Sequence, residues 1–151
     1  YRGHHVFDAV SAAVFDDVSL TRGDVLALDH VSVSMPGGTT TAVLGASGSG
    51  KSTLVQLAIG LLRPDSGRVT ILGETIDYAN PGPLRRRIGY AIQDVALLPH
   101  MRVRQNIVLP ARLNDWPPED IRQRLHELVD LLHLPHDVLD RYPHELSGGQ
   151  Q

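Results

Sequence analysis

The sequence predicts an α/β fold whose strand-rich first part gives way to a small helical part. Short β-prone runs divided by glycine and proline turns reach to about residue 92. A glycine-rich loop, Gly45 to Thr53, lies between one of those runs and an apolar helical stretch. Beyond it, from about Val103 to Leu134, apolar residues recur at helical spacing.

Residues 1–13 read as a lead-in. Val14 to Leu20 and Leu28 to Ser34 read as strands, the second with imperfect alternation of Leu28, Val31 and Val33. Met35-Pro36-Gly37-Gly38 is a turn. Thr40 to Leu44 is a β-prone run ending on glycine, and Lys51 to Leu62 is a helix apolar on most sides, which implies burial. Pro64 to Gly67 turns into a strand from Arg68 to Leu72, Gly73 turns again, and Ile88 to Ile92 is a further strand candidate. In the helical part Pro110 and Pro117-Pro118 punctuate. Pro118, Glu119 and Asp120 suit a first helical turn. Ile121, Leu125, Leu128, Val129 and Leu132 form an amphipathic stripe.

Composition narrows the function classes. The 151 residues are 42% hydrophobic and 21% charged, as in a soluble globular domain. A formal net charge of −3 argues against nucleic acid as the main partner. The absence of cysteine removes disulfides, thiol catalysis and cysteine metal sites, and fits a reducing compartment. No apolar run has the roughly 18 residues that a membrane span needs. Tyr1 to His5 shows no signal peptide and no initiator Met, so residues are expected to precede it. Work at a membrane would be that of a peripheral subunit.

Gly45-Ala46-Ser47-Gly48-Ser49-Gly50-Lys51-Ser52-Thr53 matches G-x-x-x-x-G-K-[ST] in full. Triphosphate oxygens have to be met by several backbone N–H groups at once, and glycine lets the chain curl tightly enough. The following helix directs its positive end at the anion. Lys51 would reach the β- and γ-phosphates of ATP and Ser52 would ligate Mg²⁺. Chance gives such a match in about 1 in 200 chains of this length. The strand–loop–helix context lowers that further, so nucleotide binding is the preferred reading.

Leu146-Ser147-Gly148-Gly149-Gln150 is the second decisive string, and Gln93 stands between the two in Tyr90-Ala91-Ile92-Gln93-Asp94. In that order they resemble the Walker A, Q-loop and signature motifs of ABC-family ATPases, over residues from about 14 to 151. The resemblance implies a P-loop NTPase (ABC ATPase) core with an antiparallel β subdomain and a small helical subdomain. Residues 14–94 would be the strand-rich core, 95–146 the helical subdomain and 146–150 the signature. Two such subunits would pair head to tail, the Walker A of one facing the signature of the other across ATP. Ser147, Gly148, Gly149 and Gln150 would then contact the partner's nucleotide. Lys51 and Gln93 would be the catalytic residues present, with Gln93 beside the Mg²⁺ and the attacking water. The family stacks an aromatic on adenine after the first strand; here that position holds Arg22, whose guanidinium can stack on a base. Read locally, Leu146–Gln150 is a helix N-cap after a loop, and Gln93 and Arg22 are solvated loop residues.

Leu98-Pro99-His100-Met101, Gln105-Asn106-Ile107 and Arg141-Tyr142-Pro143-His144-Glu145 look like the ATPases of bacterial osmoprotectant importers, which move glycine betaine, carnitine, choline or proline. The implied partners are a second nucleotide-binding subunit, transmembrane permease subunits and, indirectly, a substrate-binding protein, at the cytoplasmic face of the cell membrane. The alternatives are a soluble ABC protein acting on nucleic acid or ribosomes, and a nucleotide-binding regulatory module without turnover. His126, His133 and His136 read as surface residues rather than a metal set. Arg85-Arg86-Arg87 reads as a solvated edge. In the family a Walker B aspartate, a glutamate and a switch histidine follow the signature. The chain is therefore expected to be a fragment that binds ATP weakly with negligible turnover, the C-terminal part of the core being missing.

Overall fold

Strands β1 (Ser11–Arg22) and β2 (Val25–Pro36) make a long antiparallel hairpin closed by Gly23 and Asp24. In the computed structural model of the chain, residues 11–92 and 96–150 are described. Strand β3 (Ser66–Ile71) pairs with the other side of β1, and β4 (Glu74–Thr75) with β3. The result is a four-stranded antiparallel sheet in the order β2-β1-β3-β4. β1 begins inside the expected lead-in, so the strand is longer than Val14 to Leu20 at both ends. The chain divides into two compact units, Tyr1–Ile88 and Gly89–Gln151.

The imperfect alternation in β2 has a physical cause. Inward residues of β1 run Ala13, Phe15, then Val18 and Leu20, so the two-residue period slips between Phe15 and Val18. The slip is a bulge. Asp17 sits there at φ 51°, and across the ladder His30 of β2 sits at φ 47°. Backbone N–H groups freed by the bulge find hydroxyls: Asp17 N donates to Ser32 Oγ at 3.0 Å and His30 N to Ser19 Oγ at 3.0 Å. The His30 Nδ1 and Asp17 Oδ1 are 2.7 Å apart. That hydrogen bond, with the charges of Asp17 and Asp29, raises the His30 pKa above its ordinary value. The stabilisation it brings is therefore fully present below the ordinary histidine pKa and fades as pH rises through the raised value. Both side chains are exposed, so the readout is the imidazole itself. In an NMR titration Asp17→Asn is expected to lower the His30 midpoint towards the ordinary value, and an unchanged midpoint would remove the bulge pair as the cause.

The first unit's core is Phe15, Val18, Leu20, Leu28, Val69, Ile71 and Ile76, capped by Leu54 and Leu57 of helix α1 (Lys51–Ala58). Helix α1 stops at Ala58, short of the expected Leu62. Gly60, at φ 67°, supplies the left-handed residue of a Schellman stop, with Gly60 N donating to Leu57 O and Leu61 N to Gln56 O. Arg85, the last residue of a short helix α2 (Gly82–Arg85), donates to the carbonyls of Ile59 and Gly60 at 3.2 and 2.5 Å. Arg87 pairs with Glu74 at 2.9 Å. The arginine run is thus no simple solvated edge, because two of its members tie local structure together.

Tyr78 packs on the same core, and its buried hydroxyl has no hydrogen-bond partner among the described residues. An unpaired buried hydroxyl costs about 1–3 kcal/mol. Tyr78→Phe is therefore expected to leave stability unchanged or raise it by about 1 kcal/mol, read by denaturant unfolding; a loss of that size would show that the hydroxyl is satisfied in solution.

Two expected strands are absent. Residues 40–46 and 88–92 carry no ladder, and Leu44, Tyr90 and Ile92 are exposed. A strand forms only when a neighbour takes up its backbone N–H and C=O groups. Neither segment has such a neighbour among the described residues.

In the second unit, the expected helical stretch, punctuated by prolines, is two helices, α3 (Val103–Leu113) and α4 (Pro118–Leu131). Pro110 does not punctuate: α3 runs through it and ends three residues later. The break comes at Asp115, φ 54°, with Asp115 N bonded to Arg112 O and Trp116 N to Ala111 O. Pro118 then opens α4 with Glu119 and Asp120 in the first turn, as expected. α4 ends in the same Schellman geometry as α1, with His133 at φ 52° in the left-handed position. Val129 of the predicted stripe is buried with Val103, Val138, Leu139 and Leu146, and Leu125 packs on them. Leu132, the last residue of the predicted stripe, is the C-cap of α4 and 65% exposed.

Candidate functional site

The phosphate loop sits where a loop enters α1, as expected, although the segment before it carries no ladder. Gly50 is the pivot. Its φ of 86° and ψ of 0° turn the chain into the helix, and a Cβ there would lie 2.6 Å from Ala27 O and 2.9 Å from Leu28 Cδ2. Any side chain would push the loop off β2.

Lys51 folds back over the loop. Its Nζ donates to Gly45 O at 3.0 Å, Ala46 O at 2.6 Å and Ser49 Oγ at 3.2 Å. Ser49 N donates to Ala46 O at 3.2 Å, and Leu54 N closes the first helical bond to Gly50 O at 2.8 Å. Among the described residues, no group accepts from the N–H of Gly48, Gly50, Lys51 or Ser52. Gly45, Ala46, Ser47, Gly48 and Ser49 are all exposed, as is the Ser52 side chain; Thr53 is turned inward and buried. The loop therefore presents an ammonium group, uncommitted amides and a positive helix end to solvent. That is the chemistry of a polyphosphate cradle. An exposed hydroxyl at Ser52, directly after the lysine, fits a magnesium ligand on the bound phosphates.

Arg22 closes the β1–β2 hairpin, paired with Val25 and exposed. Gly50 packs at Ala27 and Leu28, which lie next to the rungs Leu20–Leu28 and Thr21–Leu26. The hairpin tip thus extends just past the point where the loop rests on β2. Val25 and Leu26, at 66% and 54% exposed, share the tip with Arg22.

The signature lies in the second unit. Leu146 is buried in that unit's core, and Ser147 to Gln150 form an exposed turn. Gln150 N donates to Ser147 O at 2.9 Å, and Ser147 N to Gln150 Oε1 at 3.2 Å. Gly148 and Gly149, at the tip, have open space where a Cβ would be. The described chain shows this as a turn rather than a formed helix start. Gln93 lies outside the described residues.

His126 and His136 rings stand 5.8 Å apart, His136 Nε2 is 3.0 Å from Asp130 Oδ1, and His133 serves the end of α4. No cluster of histidine and carboxylate ligands suited to a metal occurs among the described residues. No described helix is long and apolar enough to cross a membrane.

Residues 28–151 match the ABC transporter family. A glycine betaine/carnitine/choline transport ATP-binding protein of Bacillus subtilis is 43% identical over 130 residues, 86% of this chain and 34% of that protein. A sulfate/thiosulfate import ATP-binding protein of Nephroselmis olivacea is 40% identical over 139 residues, 91% of this chain and 39% of its own length. The chain thus spans about a third of the length of the relatives it matches. Among solved structures, the dimeric ATP-binding cassette MJ0796, bound to ADP and Pi, superposes with a TM-score of 0.80 at 28% identity, covering 91% of this chain and 64% of that one. The phosphate loop and the signature turn both fall within the matched residues, and this chain belongs to the ABC transporter family.

Proposed function

We propose that this chain is the nucleotide-gripping portion of an ABC importer's ATP-hydrolysing subunit, and that the importer carries an osmoprotectant such as glycine betaine, choline, carnitine or proline. The observation that carries the reading is the phosphate loop. Lys51 Nζ is held over the loop carbonyls, where it can swing to an incoming phosphate, and among the described residues the amides of Gly48, Gly50, Lys51 and Ser52 are uncommitted. Lys51 would neutralise the β- and γ-phosphates, and the amides of Gly45 to Thr53 would hold their oxygens. Ser52, with Gln93, would hold Mg²⁺, which supplies charge neutralisation to the transferring phosphoryl group. Arg22, with Val25 and Leu26 beside it, would support the adenine face. Ser147, Gly148, Gly149 and Gln150 would meet the nucleotide of a second subunit.

The transport and import roles of these relatives support an import reading, in which this chain would work at the cytoplasmic face of the membrane with transmembrane permease subunits and a second nucleotide-binding subunit as partners. Sulfate is the second candidate solute, because one relative at 40% identity is a sulfate/thiosulfate importer. Uptake by cells carrying the whole transporter decides between them. Labelled glycine betaine accumulation that is lost with Lys51→Ala supports the osmoprotectant; sulfate accumulation without betaine uptake replaces it.

A further inference from the structure

We propose that Arg102 is a positioning residue for the signature turn, acting through the ring of Tyr142. The inference rests on the proposed nucleotide role of Ser147 to Gln150 for its function, though not for its geometry.

The start of α3 is stitched to the segment that leads into the signature. Val103 N donates to Arg141 O at 2.9 Å. The Arg102 guanidinium donates from Nη1 to the Asp140 carbonyl. Its Cζ also stands 5.2 Å from the Tyr142 ring centroid, within cation–π range. Arg102 is itself fixed, because its backbone N–H donates to Gln105 Oε1 at 2.8 Å and its carbonyl accepts from Gln105 N at 2.9 Å. Arg104 adds an ion pair to Asp140 at 2.7 Å.

From Tyr142 the order passes forward along the chain. Tyr142 caps the 3-10 turn Pro143–Glu145, with Tyr142 N donating to Glu145 Oε2 at 2.6 Å and Glu145 N to Tyr142 O at 2.9 Å. Leu146 N then donates to Pro143 O at 3.2 Å, and its side chain enters the core beside Val103. Ser147 follows directly. The exposed turn Ser147–Gln150 thus hangs from one buried leucine and one capped turn, whose capping residue Tyr142 is clasped by Arg102. The planar guanidinium meets a carbonyl and an aromatic face together, which a lysine ammonium does less well.

Amide hydrogen exchange of the chain, followed by NMR, tests this. Contacts of this class shift a local opening equilibrium by about tenfold. Arg102→Leu and Tyr142→Leu are each expected to speed exchange at Ser147 and Gln150 by about that factor while Val129 in α4 keeps its protection. Arg102→Lys should recover part of it, and Tyr142→Phe, which retains the ring, should match the parent. Unchanged exchange at Ser147 and Gln150 in Arg102→Leu would overturn the proposal, as would equal acceleration at Val129, which marks general loosening. ATP-dependent pairing of the whole protein separates the two layers. Pairing weakened by Arg102→Leu, with nucleotide affinity intact, supports both. Faster exchange with undiminished pairing upholds Arg102 as the positioning residue and overturns the nucleotide role of the signature turn.

Discussion

Replacing Lys51 with Ala is expected to weaken ATP binding by about 100-fold, measured by calorimetry or a fluorescent nucleotide analogue. The ammonium would make charge-assisted hydrogen bonds to phosphate oxygens, each worth about 1.5–3 kcal/mol, and about 2.7 kcal/mol corresponds to 100-fold. The loss should depend on the ligand. ATP and ADP carry the outer phosphates that Lys51 would reach, whereas AMP lacks them, so AMP affinity should change little. Folding should be nearly indifferent, because the lysine's recorded partners are loop carbonyls and a hydroxyl at an exposed site. Equal loss for ATP and AMP would mean that the substitution had disordered the loop rather than removed a phosphate contact.

Replacing Gly67 with Ala is expected to destabilise the first unit by about 3 kcal/mol, the sum of a left-handed backbone penalty and overpacking. Gly67 lies in β3 opposite the β1 bulge at φ 83°. A Cβ there would stand 2.3 Å from Asp17 O, 2.5 Å from Asp17 C and 2.6 Å from Asp16 O. Those neighbours are backbone in the central strand and have nowhere to retreat. Gly23→Ala is the control: its φ of 61° is also left-handed, but nothing lies within 4 Å of the added Cβ. It should cost only about 1 kcal/mol. Thermal unfolding should put Gly67→Ala well below both the parent and Gly23→Ala. Equal melting points for the two variants would show that the bulge yields.

The residues that were legible in sequence are those whose chemistry is local. The loop from Gly45 to Thr53 and the turn from Leu146 to Gln150 are fixed strings, and both stand as compact local geometry. The start of α4 at Pro118 and the burial of Val129 follow from capping and helical spacing. The bulge at Asp17 and His30 was visible only as broken alternation in β2, because its cause lies in a partner strand thirteen residues away in sequence. Helix ends at Asp115 and His133 were missed because neither is glycine, although each adopts the left-handed turn. Arg85 looked like solvent-facing charge until its carbonyl partners at Ile59 and Gly60 were in view. The runs at 40–44 and 88–92 read as strands by composition, but composition cannot supply the neighbour that a ladder needs. The pairing of Arg102 with Tyr142 was invisible for the same reason: forty residues separate them, and only folding brings guanidinium to ring.

The central claim is that each chain contributes a phosphate loop to one nucleotide and a signature turn to its partner's. Mixing two variants of the whole protein tests it most directly. Lys51→Ala spoils the loop and Ser147→Arg spoils the signature, so neither variant alone should pair in ATP. In a mixed pair, one site joins both faults, while the other joins an intact Lys51 loop to an intact Ser147 turn. ATP-dependent pairing, followed by energy transfer between differently labelled copies, should therefore return in the mixture. A mixture that pairs no better than either variant alone would contradict the claim.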